Sequence, residues 1–348
     1  MKSKVYFLKA DRLNELGAFL KRADTFWHVK AKQFLALKIH FGEKGVEGFI
    51  KPKYVKTVAE IVRQKTAFPF LTDSSTLYNG WRADAYHHLL IANKHGFNIE
   101  NCACPVIIAD GLKGNGQVCV DVNLKHFKKI FIAPAIFDCG GLIFLSHAKG
   151  HALTGFAGAL KNIAMGCAAK EGKRQMHKIA VPIFDMKKCQ ACFLCIKNCP
   201  VNALYFIDDK INVDEAKCLG CGRCASFCQS AAINILDNES SKILQERIAE
   251  YVFGILKNKN ASYVNFLMHV TPYCDCHAKA NNKPLIADIG VLASKDPVSI
   301  DQASCDLIKN ECGVNDICNI FHKIDESICL DYAQSLGLGK REYELIRF

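Results

Sequence analysis

At 348 residues the chain is long enough for two domains, one with a sizeable core, and with half its residues hydrophobic and a mean hydropathy of +0.05 it reads as globular rather than disordered. Lys and Arg outnumber Asp and Glu by 45 to 34, yet the lysines are scattered and no basic run has interleaved aromatics; this is a solvated surface and not a nucleic-acid interface. No apolar run is long enough for a membrane span, the opening MKSKVYFLKADRLNELGAFLKRAD lacks the apolar stretch of a secretion signal, and 19 largely unpaired-looking cysteines imply a reducing compartment, the cytoplasm.

In chain order, Lys4 to Leu8 reads as a short strand, and Asp11 to Ala23 as a helix with Leu13, Leu16, Phe19 and Leu20 on one face and Asp11 as its cap. Gln33 to Phe41 is the next strand and ends in Lys38, His40, Glu43 and Lys44 around two glycines. A helix from Tyr54 to Lys65 leads to a strand from Pro69 to Thr72, followed by Asp73, Ser74, Ser75 and Thr76. Polar, glycine-rich turns after apolar strands are where open α/β sheets place ligands. Arg82 to Lys94 is a helix closed by Gly96, and Val106 to Ala109 and Lys129 to Ala135 are two buried strands. Gly111, Gly114 and Gly116 mark a loop whose order does not match a dinucleotide fingerprint.

The stretch SHAKGHALTGFAGALKNIAMGC, Ser146 to Cys167, predicts a helix capped by Thr154, small at Gly155 and Gly158 and closed by Gly166. Preceded by His147, Lys149 and His151, it reads either as an anion site or as a closely packed helix with a polar loop. After the cysteine runs described next, Ser241 to Leu256 is a helix, Tyr263 to Val270 and Ile286 to Leu292 are strands, and Asp296 caps a helix with Pro297 at its first position that carries Asp301 and Cys305. The C-terminal stretch reads as a small helical tail. Strand and helix signals on both sides of the cysteine runs predict an α/β fold: a mixed, largely parallel sheet with helices on its faces, built from residues 1–178 and 239–348, plus a small inserted α+β unit over 179–238. Three consecutive domains are the alternative, but the last segment is short to form a core alone.

The runs CQACFLCIKNCP and CLGCGRCASFCQ repeat the same spacing 29 positions apart, so that Cys189, Cys192, Cys195 and Cys199 correspond to Cys218, Cys221, Cys224 and Cys228. Three cysteines two residues apart can hold three corners of a cubane; zinc sites, the other use of CxxC pairs, have no need of two runs of four. This segment closely resembles the bacterial two-cluster ferredoxins, including Pro200 after Cys199. The resemblance implies two [4Fe–4S] clusters with exchanged fourth ligands: Cys189, Cys192, Cys195 and Cys228 for one, and Cys218, Cys221, Cys224 and Cys199 for the other. Gln229 departs from the pattern, where the family usually has proline, and should alter local hydrogen bonding rather than ligation.

The flanking strings KIHFGEKG, HAKGHALTGFAGALKNIAMGC and IGVLASKDPVSIDQA resemble the DUF362 family. The resemblance covers nearly the whole chain and implies that Lys38, His40, Lys149, His151, Thr154, Gly155, Lys161, Asn162, Asp296, Pro297 and Asp301 occupy family motif positions around one cleft. Lys161 snorkelling and Asn162 capping a loop are the plainer roles of those two residues. Cys274, Cys276 and His277, with Cys139 and Cys167 beside glycines, are either a third metal site or small buried thiols.

Two adjacent cubanes move single electrons, and a large additional domain has a use if it binds what receives or supplies them. The expected function is an iron–sulfur oxidoreductase in which His40, His147, His151 and Lys161 protonate or hold a small anionic substrate, and Lys149, Thr154, Gly155 and Asn162 bind the ligand or cofactor. A non-enzymatic electron carrier or adaptor that docks a redox partner protein is the second reading, and structural or redox-sensing clusters the third. A flavin, whose sites often lack a short motif, stays open beside the clusters.

Overall fold

A computed structural model describes residues 2–78, 80–178, 181–220, 222–234, 238–274 and 283–348. Eight strands form the central sheet: β1 (Ser3–Lys9), β2 (Phe34–Lys38), β3 (Phe68–Asp73), β4 (Val106–Ile108), β5 (Gly141–His147), β6 (Ala261–Leu267), β7 (Gly290–Ser294) and β8 (Tyr343–Arg347). Their spatial order is β8-β1-β7-β6-β5-β2-β3-β4. Only β7 pairs antiparallel with its neighbours, so the sheet is mixed and largely parallel.

Period-two alternation divides the central strands between two cores. Leu35, Leu37, Ile143 and Leu145 pack on one side with α1 (Leu16–Arg22) and α2 (Pro52–Gln64); Ala36, Leu142 and Phe144 face the other. That second side is covered by α4 (Ala159–Cys167), α6 (Asn238–Leu256) and α7 (Pro297–Cys312). Burial on both faces lets Gly141–Leu145 of β5 be apolar throughout, with no polar-outward alternation. Further helices of eight or more residues among the described ones are α3 (Ala85–Lys94), α5 (Lys170–His177) and α8 (Ser327–Ser335). No helix among the described residues is long and apolar enough to cross a membrane.

Several elements differ from the sequence expectations. The first helix opens as a 3-10 turn, Ala10–Glu15, with a non-helical Arg12, and no side chain caps it. Lys129–Ile132 pairs with Val118–Asp121 in a separate hairpin instead of joining the central sheet. The strand placed from Ile286 starts at Gly290. The C-terminal tail contains α8 but ends in β8, a half-exposed edge strand whose alternating charges obscure it in the sequence. Thr154 does not cap α4: Gly155–Ala157 is a strand pairing with Lys149–His151, and the helix starts after Gly158.

The cap comes from a distant helix. Asp301 on α7 accepts the N–H groups of Ala159 (2.6 Å) and Leu160 (2.9 Å), and Asn265 on β6 donates to the same carboxylate (2.8 Å). A Cβ at Gly158 would collide with that carboxylate, which explains the glycine. Burial pushes Asp301 up to about 6 against the pull of its three donors. Asp301→Asn keeps the shape but turns an NH2 group toward backbone donors; we expect a loss of about 2–4 kcal/mol of stability, read by denaturant unfolding. An unchanged midpoint would show that the cap contributes nothing net to stability.

The cysteine-rich segment builds two small antiparallel pairs, Ile183–Phe184 with Ile233–Asn234 and Leu204–Ile207 with Lys210–Val213, around a core of Cys195, Leu204, Ile211 and Ile233. Its duplication extends to the backbone. Left-handed Phe193 and Gly222 precede the matching short helices Leu194–Lys197 and Arg223–Ser226. Asp185 N–H donates to Ala232 O, and Asp214 N–H donates to Ala203 O, so each half ties its start to the end of the other.

Candidate functional site

The main cleft lies beyond the C-terminal ends of β2, β3 and β5, the edge where open α/β sheets take ligands. Its cavity measures about 180 Å³. β2 delivers Lys38 and the turn after it His40; β3 delivers Asp73 and then Ser74; β5 delivers His147. Lys149 and His151 come from the hairpin that follows, and Lys161 and Asn162 from the first turn of α4.

A buried ion-pair network forms the floor. Lys38 Nζ is 2.9 Å from Asp73 and donates to Asn162 Oδ1 (2.8 Å), whose amide in turn donates to Leu145 O and Ser146 Oγ. Arg82 reaches Asp73 at 3.5 Å and Glu43 at 2.7 Å, and Tyr78 donates to the same Glu43 oxygen (2.9 Å). Burial alone would raise Asp73, but the Lys38 and Arg82 cations hold it far below the usual carboxylate range. His88, fully buried 3.8 Å from Asp73, is driven down to about 3 by burial and stays neutral. The Lys38 ammonium crosses α4 at Gly166, where a Cβ would collide with it; Gly166 lies inside the helix and does not close it.

Lys173 on α5 is a further buried lysine of the cleft, 7% exposed, beside Lys149 at 6%. It donates to Ser74 Oγ (2.6 Å) and Ala168 O (2.8 Å), and burial lowers it to about 8. Neither Lys173, Arg82, Tyr78 nor His177 stood out in the sequence. Lys173 sits in the charge-dense KEGKRQMHK, which has the look of a solvated helix; the signal available was its place one turn after the apolar Cys167–Ala169.

The sequence-predicted site residues divide. Lys38, His40, His147, Lys149, His151, Lys161 and Asn162 line one cleft. His147 is already committed, Nε2 donating to Met268 O (2.6 Å), and His40 Nδ1 accepts from Gly42 N–H (2.8 Å). Thr154 and Gly155 lie outside the lining: Thr154 donates to Phe156 O and sits 2.9 Å from His151 Nδ1, so it orients that histidine. Asp296 caps α7 through Val298 and Ser299, and Asp301 acts through α4. Cys274 lines the cleft, whereas Cys139 and Cys167 are buried apart from that lining, with Cys139 Sγ donating to Ile136 O. Cys276, His277 and Cys221 lie outside the described residues.

Around the cysteine runs the donor set suits thiolate ligands. Ala203 N–H donates to Cys199 Sγ and Ala232 N–H to Cys228 Sγ, both at 3.2 Å, and Gly220 N–H lies 3.4 Å from Cys218 Sγ. Cys199 of the first run shares one small cavity with Cys218 and Cys224 of the second, flanked by Pro200, Leu219 and Gly220. Ser230 Oγ, next to Gln229, is 3.6 Å from Cys228 Sγ, a contact the first run cannot make with Val201. Arg223, beside Cys224, lines the main cleft together with Lys38 and His40.

The model of the family described as a domain of unknown function, DUF362, matches residues 35–306. The chain belongs to this family. It is 35% identical over 77 residues to an uncharacterised ferredoxin of Methanocaldococcus jannaschii, covering 22% of this chain and 50% of that protein. It is also 31% identical over 64 residues to the indolepyruvate oxidoreductase subunit IorA of Archaeoglobus fulgidus, 18% of this chain and 9% of that one. The chain thus matches half or less of the length of these curated relatives. Among solved structures, the lactate racemase apoprotein of Thermoanaerobacterium thermosaccharolyticum aligns with a TM-score of 0.46 at 11% identity, over 89% of this chain and 58% of that one. Likeness at this level says nothing of activity.

Proposed function

We propose that this DUF362 protein exchanges electrons between two [4Fe–4S] clusters and a ligand held in the main cleft. Residues 179–238 form the inserted two-cluster unit, with Cys189, Cys192, Cys195 and Cys228 holding one cluster and Cys218, Cys221, Cys224 and Cys199 the other. The observation that carries the reading is Arg223: it lines the cleft and is bonded directly to Cys224, so a cluster ligand stands one residue from the ligand chamber. Each cluster, when bound, supplies one electron at a time. The chain's own part is to hold the ligand with Lys149, Lys161 and Arg223 and to move protons at its wall, where His40 and His151 are within the lining.

Anaerobic iron and acid-labile sulfide analysis with EPR of the reduced protein tests the cofactor half. We expect about eight iron and eight sulfide per chain and mutually interacting S = 1/2 signals. About four iron, or zinc in place of iron, would discard the two-cluster reading.

A second reading, an electron carrier docking a protein partner, is favoured by one surface of the insert. Tyr205, Phe206 and Ile207 are exposed on a single strand, and Phe193 packs edge-on against Phe206. The two readings separate on whether Tyr205→Ser with Ile207→Ser slows reoxidation of the reduced protein by other redox proteins while leaving the cleft's ligand binding intact; the carrier reading requires the slowing.

A further inference from the structure

Three lysines, Lys38, Lys149 and Lys173, are buried in the wall of the cleft, and the surroundings of Lys38 and Lys173 differ. Lys38 has the Asp73 carboxylate at 2.9 Å. Lys173 has a hydroxyl and a carbonyl, both neutral, and among the described residues no carboxylate within ion-pair distance. The titratable groups around it are Asp110 and Asp73 on its acidic side, Lys38 on its basic side, and the neutral His88 and Cys167. Ser75 N–H and Oγ already engage Asp110, and Lys38 and Arg82 engage Asp73. An ammonium removed from water without a counter-charge is costly, and folded proteins rarely keep one unless something answers it.

The charged groups lining the cavity that Lys173 faces are mostly cationic. Lys38, Arg82, Lys149, Lys161, Lys173 and Arg223 line it, against the single carboxylate of Asp73 among the described lining residues. These cations come from separate parts of the chain, Lys149 and Lys161 from the hairpin and α4, Lys173 from α5, and Arg223 from the cysteine-rich segment. Converging charges from four segments are the arrangement of a recognition site, and a scattered surface does not produce it.

We propose that the cleft binds a small oxyanion-bearing molecule, a carboxylate or phosphate, whose negative charge is the missing counterion of Lys173 and is bracketed on the insert side by Arg223. This names the ligand class for the electron-transfer reading of the same cleft and rests on it for the ligand's role, but not for its binding. The bound anion favours the ammonium form of Lys173. Free Lys173 titrates at about 8, so binding takes up no proton below that pH and approaches one proton above it, and affinity weakens as pH rises through 8.

Calorimetric titration of inorganic phosphate and of malonate into the oxidised holoprotein, in buffers of different ionisation enthalpy on either side of pH 8, reads both affinity and proton uptake. The wild type is expected to bind at least one of the two, with proton uptake on the alkaline side only; whichever binds more tightly distinguishes the phosphate from the carboxylate source. Lys173→Gln should weaken binding about thirtyfold or more and abolish the uptake. Lys173→Met, which removes a buried charge while keeping the stem, should fold with its full iron content and without a lower Tm, and should also fail to take up a proton. Arg223→Gln should weaken binding while the residual binding keeps its proton uptake. Absence of binding by both anions overturns the proposal, as does proton uptake that survives in Lys173→Met. Because the titration uses oxidised protein, it reports anion binding whether or not electrons move, and the EPR test reports the clusters whether or not anions bind.

Discussion

Cys199→Ser should strip the cluster of the second cysteine run and leave that of the first, lowering iron from about eight toward about four per chain and removing the interaction between the two EPR signals. The reason is the proposed exchange of fourth ligands between runs. Cys199 closes the first run in sequence, yet it lines the same small cavity as Cys218 and Cys224 and receives a backbone N–H from Ala203. The decisive comparison is with Cys189→Ser. If the ligands are exchanged, Cys189→Ser and Cys199→Ser remove different clusters, and the double variant loses nearly all its iron. If each run is self-contained, both substitutions attack one cluster, and the double variant keeps about four iron; that result would sink the ligand assignment.

Replacing the floor of the cleft should have the second large effect. Asp73→Asn leaves Lys38 and Arg82, both almost fully buried, without their shared carboxylate, and we expect about 3–5 kcal/mol of lost stability, with a Tm lower by on the order of 10 °C. Wild-type-like thermal unfolding of Asp73→Asn would mean that the network contributes nothing net. The same network gives a pH signature. His88 is lowered to about 3 in the folded chain, while an unfolded histidine takes up its proton near pH 6.5, so its contribution is full above pH 6.5 and is lost as pH falls toward 3. Asp73, also depressed, adds a loss that begins near the ordinary carboxylate pKa of about 4 and grows as pH falls. Asp301, raised to about 6, acts in the opposite direction over part of this range, with stability falling as pH rises from about 4 to 6. The clean observable is therefore a difference: the Tm of His88→Leu relative to wild type should climb steadily as pH is lowered below about 6.5. A difference independent of pH would show that His88 is not the group responsible.

Lys173 lies on a helix whose composition disguises its burial. Its helix is one of the most charged in the chain, and by composition it belongs to the solvent. It is buried because Gly172 lets α5 close against Phe131 and Tyr251: a Cβ there would press on the carbonyl of one and the ring of the other. A contact between residues this far apart in sequence has no local signature. Asp301 is the same case: its spacing within α7 is ordinary, and its role comes from lying across the N-terminus of α4, some 140 residues earlier in the chain.

What the sequence determined by itself was whatever local chemistry or short period specifies. Two runs of four cysteines displaced by 29 positions define a duplicated unit whose spacing is that of the ferredoxins it resembles, and the duplication reappears in the paired left-handed residues Phe193 and Gly222. Apolar runs marked β2 and β3 because strands buried on both faces have no polar side to show, and Asp296 with Pro297 marked the start of α7 because a cap acts within one turn; β5, Gly141–His147, was not read from the sequence. The tertiary structure alone decided the rest. It set Lys38 against Asp73 and Asn162, separated Thr154 and Gly155 from the cleft, moved Lys129–Ile132 out of the sheet and brought Arg223 to the ligand chamber. Each of these depends on which strand lies beside which and on how far a buried charge must reach for its partner. Those quantities are fixed by the closing of the whole fold, since the energy of a buried ion pair is set by neighbours that are distant in the chain and adjacent only in space.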